Sequence, residues 1–174
     1  MTTALLIIDV QESLCVGAEA AFDIDRVVDR INSLSARARA VGAPVILIQH
    51  EEEEGPLQFG SEGWQLYERL AIAPGDLRVR KTACDSFHQT GLEALLQARG
   101  VGRLIICGLQ SDYCIDATVR GAHALGYPVV LVSDAHSTMD SGGRTAAEIT
   151  RHHNDALAGL GSGVQPMPAA EVPL

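Results

Sequence analysis

The chain has 174 residues, 47% of them apolar and 20% charged, which is enough apolar material for one domain with its own core. Its formal charge of −9 argues against nucleic acid as a partner, because gripping phosphates takes clustered Lys and Arg. The opening MTTALLIIDVQ has no basic stretch before its apolar run, and the run ends at an acid; this fits neither a signal peptide nor a membrane span and sets a cytoplasmic location as the expectation. Four cysteines, Cys15, Cys84, Cys107 and Cys114, lack the CxxC spacing of metal sites and are expected to be free thiols.

In chain order, ALLIID at 4–9 is a short continuous apolar run, the pattern of a parallel strand buried on both faces. Residues 24–41 follow with Ile24, Val27, Val28, Ile31 and Leu34 on one helical stripe, then PVILIQ at 44–49 as a second strand. The stretch 51–76 has no strand character and opens on four glutamates, a surface run that would attract cationic ligands if it rimmed a crevice. LRVRK at 77–81 is a weaker strand, 90–99 a helix, RLIIC at 103–107 a strand, 113–125 a helix, PVVLV at 128–132 a strand and 143–159 a helix. The Gly- and Pro-rich tail from 160 leaves room for one edge strand near Val164. This alternation predicts an α/β sandwich around a mostly parallel sheet, with the functional crevice at the carboxyl ends of its strands.

The residues at those ends are Asp9, Gln49 with His50, Lys81, the segment after Gly108, and Ser133 with Asp134. Cys114 stands out among them. It lies where a strand ends, a polar turn follows and a helix begins near Tyr113, so its thiol is expected in the first helical turn, where free N–H groups and the helix dipole favour a thiolate. A nearby Lys81 would lower its pKa further and Asp9 would be placed to take its proton. Cys84 has no helix terminus and ranks below it.

The blocks LLIIDVQ, RKTACDSF and GLQSDYCIDATVRGAHALG resemble, in order and across residues 4 to about 153, the isochorismatase-like cysteine hydrolases. The resemblance implies a three-layer sandwich with a six-stranded sheet of Rossmann-like topology, a homo-oligomer (dimer or tetramer), no cofactor, and a catalytic trio of Asp9, Lys81 and Cys114. It also implies a non-proline cis peptide just before Gln110 and an oxyanion hole made by the backbone N–H groups of Gln110 and Cys114. The activity implied is hydrolysis of a C–N amide, lactam or carbamoyl bond through a thioester, since family members that cleave a vinyl ether lack the cysteine. Gln11, His50, Trp64, Phe87 and Tyr113 are expected to face the substrate.

Nicotinamidases of this superfamily carry an Asp-x-His metal pair after the second strand; Gln49, His50 and Glu51 stand there in this chain, so no metal is expected. GLQSDYC, RVRKTACDSF and the insert with Gly63 and Trp64 resemble a streptothricin hydrolase-like subgroup, which implies a small, cationic amide as a candidate substrate. Rival readings are a non-catalytic binding protein that keeps the fold and a metal-dependent nicotinamidase. Phosphatase and dinucleotide-binding readings lack their motifs, since Asp9 is followed by Val10 and Gln11 and no GxGxxG follows the first strand.

Overall fold

A computed structural model of the chain describes residues 2–174. Six strands, β1 (Thr2–Ile8), β2 (Val45–His50), β3 (Leu77–Lys81), β4 (Val101–Leu109), β5 (Val129–Ser137) and β6 (Val164–Met167), form one sheet in the order β3-β2-β1-β4-β5-β6, with every pairing parallel. Five helices cover it: α1 (Glu12–Cys15), α2 (Ile24–Ala40), α3 (Leu92–Ala98), α4 (Asp116–Ala124) and α5 (Ala146–Ala158).

The sheet separates two apolar cores, and alternation along β1 feeds both. Leu5 and Ile7 pack with Val27, Val28, Ile31, Leu34 and Ala38 of α2, while Ala4, Leu6 and Ile8 pack with Leu92 and Leu96 of α3, Val119 of α4 and Leu157 of α5. The continuous apolar runs are thus strands buried on both faces. Helix α5 starts at a capping box, in which the Thr145 hydroxyl accepts from Glu148 N–H and the Thr145 N–H donates to the Glu148 carboxylate. No helix among the described residues is long and apolar enough to cross a membrane.

Three elements depart from the sequence reading. The helix expected from 113 begins instead as a π-helical turn, Ser111–Ile115, that runs into α4. The fifth strand continues to Ser137, five residues beyond its apolar run: after a register shift, His136 and Ser137 pair with Gly108 and Leu109 of β4, while Arg30 donates to Asp134 O and Asn154 to Ser133 O. The short α1 falls within a segment that carried no predicted element.

Candidate active site

The connections from β1 run toward β3 and those from β4 toward β6, so the order of strands reverses between β1 and β4, the switch point where open α/β sheets bind ligands. The two strands meet closely there. At Gly108, with φ 117°, a Cβ would lie 2.1 Å from Ile8 O, so only glycine fits. Asp9 is the first residue past β1 and holds the left-handed conformation, φ 52°.

Four strand ends deliver the polar groups. Lys81, the last residue of β3, is 2% exposed, and its Nζ lies 2.8 Å from Asp9 Oδ2, 3.0 Å from Cys114 Sγ, and 3.1 Å from both Ala83 O and His50 Nδ1. Burial opposes the charge on Lys81, but the Asp9 carboxylate and the Cys114 sulfur outweigh it and its pKa is raised. The ammonium has three N–H groups for these four neighbours, and a neutral His50 can offer Nδ1 as one of the acceptors. Burial first, and then the Lys81 charge, lowers the His50 pKa in keeping with this.

The Cys114 thiol departs from expectation. It lies in the π-helical turn ahead of α4, is 9% exposed, and has its pKa pushed up by burial and by Asp9, with Lys81 opposing only in part. Burial and the Asp9 charge thus work against the thiolate that a helix start and Lys81 would favour. Asp9 has one carboxylate oxygen on Lys81, while its Oδ1 is buried without a hydrogen-bond partner among the described residues. Ligand atoms of Asp9, His50 and Cys114 lie within 4.8 Å of one another, spacing that suits a metal ion. The Lys81 ammonium stands within hydrogen-bond distance of all three and fills the cation position itself.

A second layer shapes the turn that carries Cys114. The Leu109–Gln110 peptide is cis, and the Gln110 carbonyl accepts from the N–H groups of Tyr113 (3.2 Å) and Ile115 (3.1 Å). The Ser111 hydroxyl is 2.8 Å from His136 Nδ1 and 3.0 Å from the Thr150 hydroxyl, and His136 Nε2 is 3.0 Å from Asn154 Oδ1. Burial lowers the His136 pKa to about 4, so the ring is neutral and joins β5 and α5 to the turn. Sequence reasoning passed over His136 and Ser111; a histidine inside the strand-like VVLVSDAHS is the one signal that marked them.

The five residues expected at the substrate divide. His50 and Tyr113 line a cavity of about 190 Å³ together with Asp9, Leu14, Glu52, Leu57, Cys84, Gln110 and Cys114. Gln11 does not face it. Fully buried, it donates to His50 O and Trp64 O (both 2.9 Å) and accepts from His50 N–H (2.9 Å), which fastens the insert to the end of β2. Trp64 packs edge-on to Phe59 at 4.8 Å, and Phe87 stacks with Tyr127 at 6.2 Å beside the second core; neither lines the cavity. Both were expected as pocket walls and are instead packing residues. The insert closes over the β1–α1 turn through Glu12 N–H to Gln65 O and Ser13 N–H to Gly63 O.

A cysteine thiol, a carboxylate and a buried lysine thus meet at the switch point of a parallel α/β sheet. The isochorismatase domain family model matches residues 3–158, and the chain belongs to that family. It is 45% identical over 138 residues to a streptothricin hydrolase of Streptomyces noursei, a match covering 79% of this chain and 50% of that protein. It is 26% identical over 171 residues to a ureidoacrylate amidohydrolase of Caulobacter vibrioides, covering 77% and 76%. The crystal structure of an isochorismatase family protein superposes with a TM-score of 0.89 at 39% identity, over 95% of this chain and 97% of that one. The chain spans about half the length of the streptothricin hydrolases it matches.

Proposed function

We propose that the chain hydrolyses a C–N bond of a small amide, lactam or carbamoyl compound through a thioester on Cys114. The observation that carries the reading is the Lys81 ammonium held between Asp9 (2.8 Å) and Cys114 (3.0 Å) inside the cavity floor. A thiol whose pKa is pushed up needs a base at the moment of attack, and the unpaired Asp9 Oδ1 is that base. The proton passes from sulfur to Asp9 while sulfur bonds to the carbonyl carbon. Lys81 steadies the negative charge that develops on sulfur. The carbonyl oxygen becomes an oxyanion, held by the N–H groups of Gln110 and Cys114, neither of which enters the two bonds that close the turn. The C–N bond then breaks as nitrogen takes the proton from Asp9, and ammonia or an amine leaves. Water, deprotonated by Asp9, attacks the thioester; the C–S bond breaks, sulfur recovers its proton and a carboxylic acid is released. The amidohydrolase and hydrolase relatives support this bond class.

The test is a panel of primary amides, carbamoyl compounds and lactams assayed for ammonia or amine release, with intact-mass detection of an acyl adduct on the enzyme. Wild type should turn over members of the panel and Cys114→Ala none. Full activity in Cys114→Ala, or nicotinamide turnover far above the panel and abolished by a chelator, would overturn the reading.

A further inference from the structure

The four glutamates that open the insert do not share one fate. Glu51 turns toward β3, where its carboxylate is 3.3 Å from Arg80 Nε. Glu52 turns the other way and lines the cavity that holds Cys114. Its backbone is fixed by a bond from Glu52 N–H to Leu57 O (3.1 Å) and a bridge to Gln58, so the side chain is presented from a defined turn rather than a free loop. Glu53 and Glu54 are exposed and do not line the cavity.

The charges within the cavity leave Glu52 unmatched. Its lining holds two carboxylates and no Lys or Arg. Asp9 is neutralised from beneath by Lys81, whereas Glu52 makes no ion pair with Lys or Arg among the described residues. Its one ion-pairing neighbour among the described residues is His50, whose Nε2 is 3.9 Å away. Half-exposed Glu52 thus brings a carboxylate to a cavity whose lining includes Leu14 and Leu57 and offers it no Lys or Arg.

We propose that Glu52 is the specificity residue of this cavity and selects small amides that carry a protonated basic nitrogen, which its carboxylate pairs with while the carbonyl meets Cys114. The proposal rests on the amidase reading for the bond that is cleaved. The charge selection itself can be read without any turnover.

The first arm measures that selection directly. In a Cys84→Ser background, Cys114 is reacted with 2-aminoethyl methanethiosulfonate, a cation, and with 2-sulfonatoethyl methanethiosulfonate, an anion of the same length; in each case sulfur forms the mixed disulfide and methanesulfinate leaves. The cation-to-anion rate ratio at low salt should fall about tenfold in Glu52→Gln and stay unchanged in Glu53→Gln. A ratio that Glu52→Gln does not move, or that Glu53→Gln lowers equally, overturns the proposal. The second arm compares kcat/KM for 6-aminohexanamide and hexanamide. Wild type should favour the cation, and Glu52→Gln should lose that preference, with kcat/KM falling far more for 6-aminohexanamide than for hexanamide; equal losses on both amides overturn the specificity role. Should neither amide turn over while the thiosulfonate ratio behaves as stated, the charge selection stands on the first arm, and the amidase reading is decided by the substrate panel and Cys114→Ala.

Discussion

Lys81 Nζ and Asp9 Oδ2 lie 2.8 Å apart with side chains 0% and 1% exposed, an ion pair shut away from water at the carboxyl ends of β1 and β3, across the end of β2. Two charges buried together tolerate each other, but either one alone is costly. Lys81→Met or Asp9→Asn should each destabilise the fold by about 3–5 kcal/mol, because the surviving charge keeps its burial and loses its partner. The double variant should recover much of that loss. Urea unfolding of the four proteins in a double-mutant cycle checks this; single variants as stable as wild type would show that the pair is not buried as described.

Asp9 has a second effect, of opposite sign on two readouts. Its charge helps push the Cys114 thiol up, and its free oxygen is the proton acceptor in the proposed reaction. Asp9→Asn should therefore speed alkylation of Cys114 by iodoacetamide while cutting amide turnover by about 10²–10⁴-fold. In the wild-type chain exposed Cys84 should alkylate before Cys114, so labelling order identifies accessibility rather than the nucleophile.

His50 introduces a pH dependence. Neutral, it accepts from Lys81; protonated, it sets a second cation 3.1 Å from Nζ. Its pKa is lowered from the model-peptide value of 6.5, so the neutral form persists as pH falls below that point and is lost only on passing its own pKa. The kcat/KM profile should carry an acid limb lying below pH 6.5. His50→Gln keeps an acceptor that does not titrate and should move or remove that limb; an unchanged limb would assign it to another group.

Stability should also depend on pH through His136. Burial brings its pKa to about 4 in the folded chain, against an ordinary histidine value of 6.5. Between these values the unfolded chain binds a proton that the folded one refuses, so the stability from a neutral His136 is full above pH 6.5 and is lost as pH falls toward 4. Between pH 7 and 4.5 this amounts to about 2–3 kcal/mol. His136→Asn should flatten the pH dependence of urea unfolding by that amount; equal slopes in the two proteins would contradict it.

How far the sequence spoke for the fold can be judged residue by residue. Strands such as LLII and VILI were legible because burial on both faces writes itself as an unbroken apolar run, and LRVRK was found despite its charges. Ser133 to Ser137 were not, since they are held by a shifted pairing with Gly108 and Leu109 of β4 and by donors from Arg30 and Asn154, none of which leaves an apolar run in the sequence. That Asp9, Lys81 and Cys114 meet was legible through strand ends and motif, whereas the burial and the Asp9 charge that work against a Cys114 thiolate have no local signature. Gln11 reads as a ligand-facing polar group until its backbone partners, 39 and 53 residues away, are in view. Trp64 and Phe87 show that an aromatic near a site is as readily packing as wall.

The pairing of β1 with β4, where Ile8 meets Gly108, has a consequence for how activity arises during folding. Asp9, His50, Lys81 and Cys114 come from four separate stretches of chain, and none of the helices brings any two of them together. Local structure can form early, but the reacting groups converge only after long loops close and the central strands lie side by side. Turnover is then an all-or-none reporter of sheet assembly: a refolding chain should regain helix content first and its chemistry last.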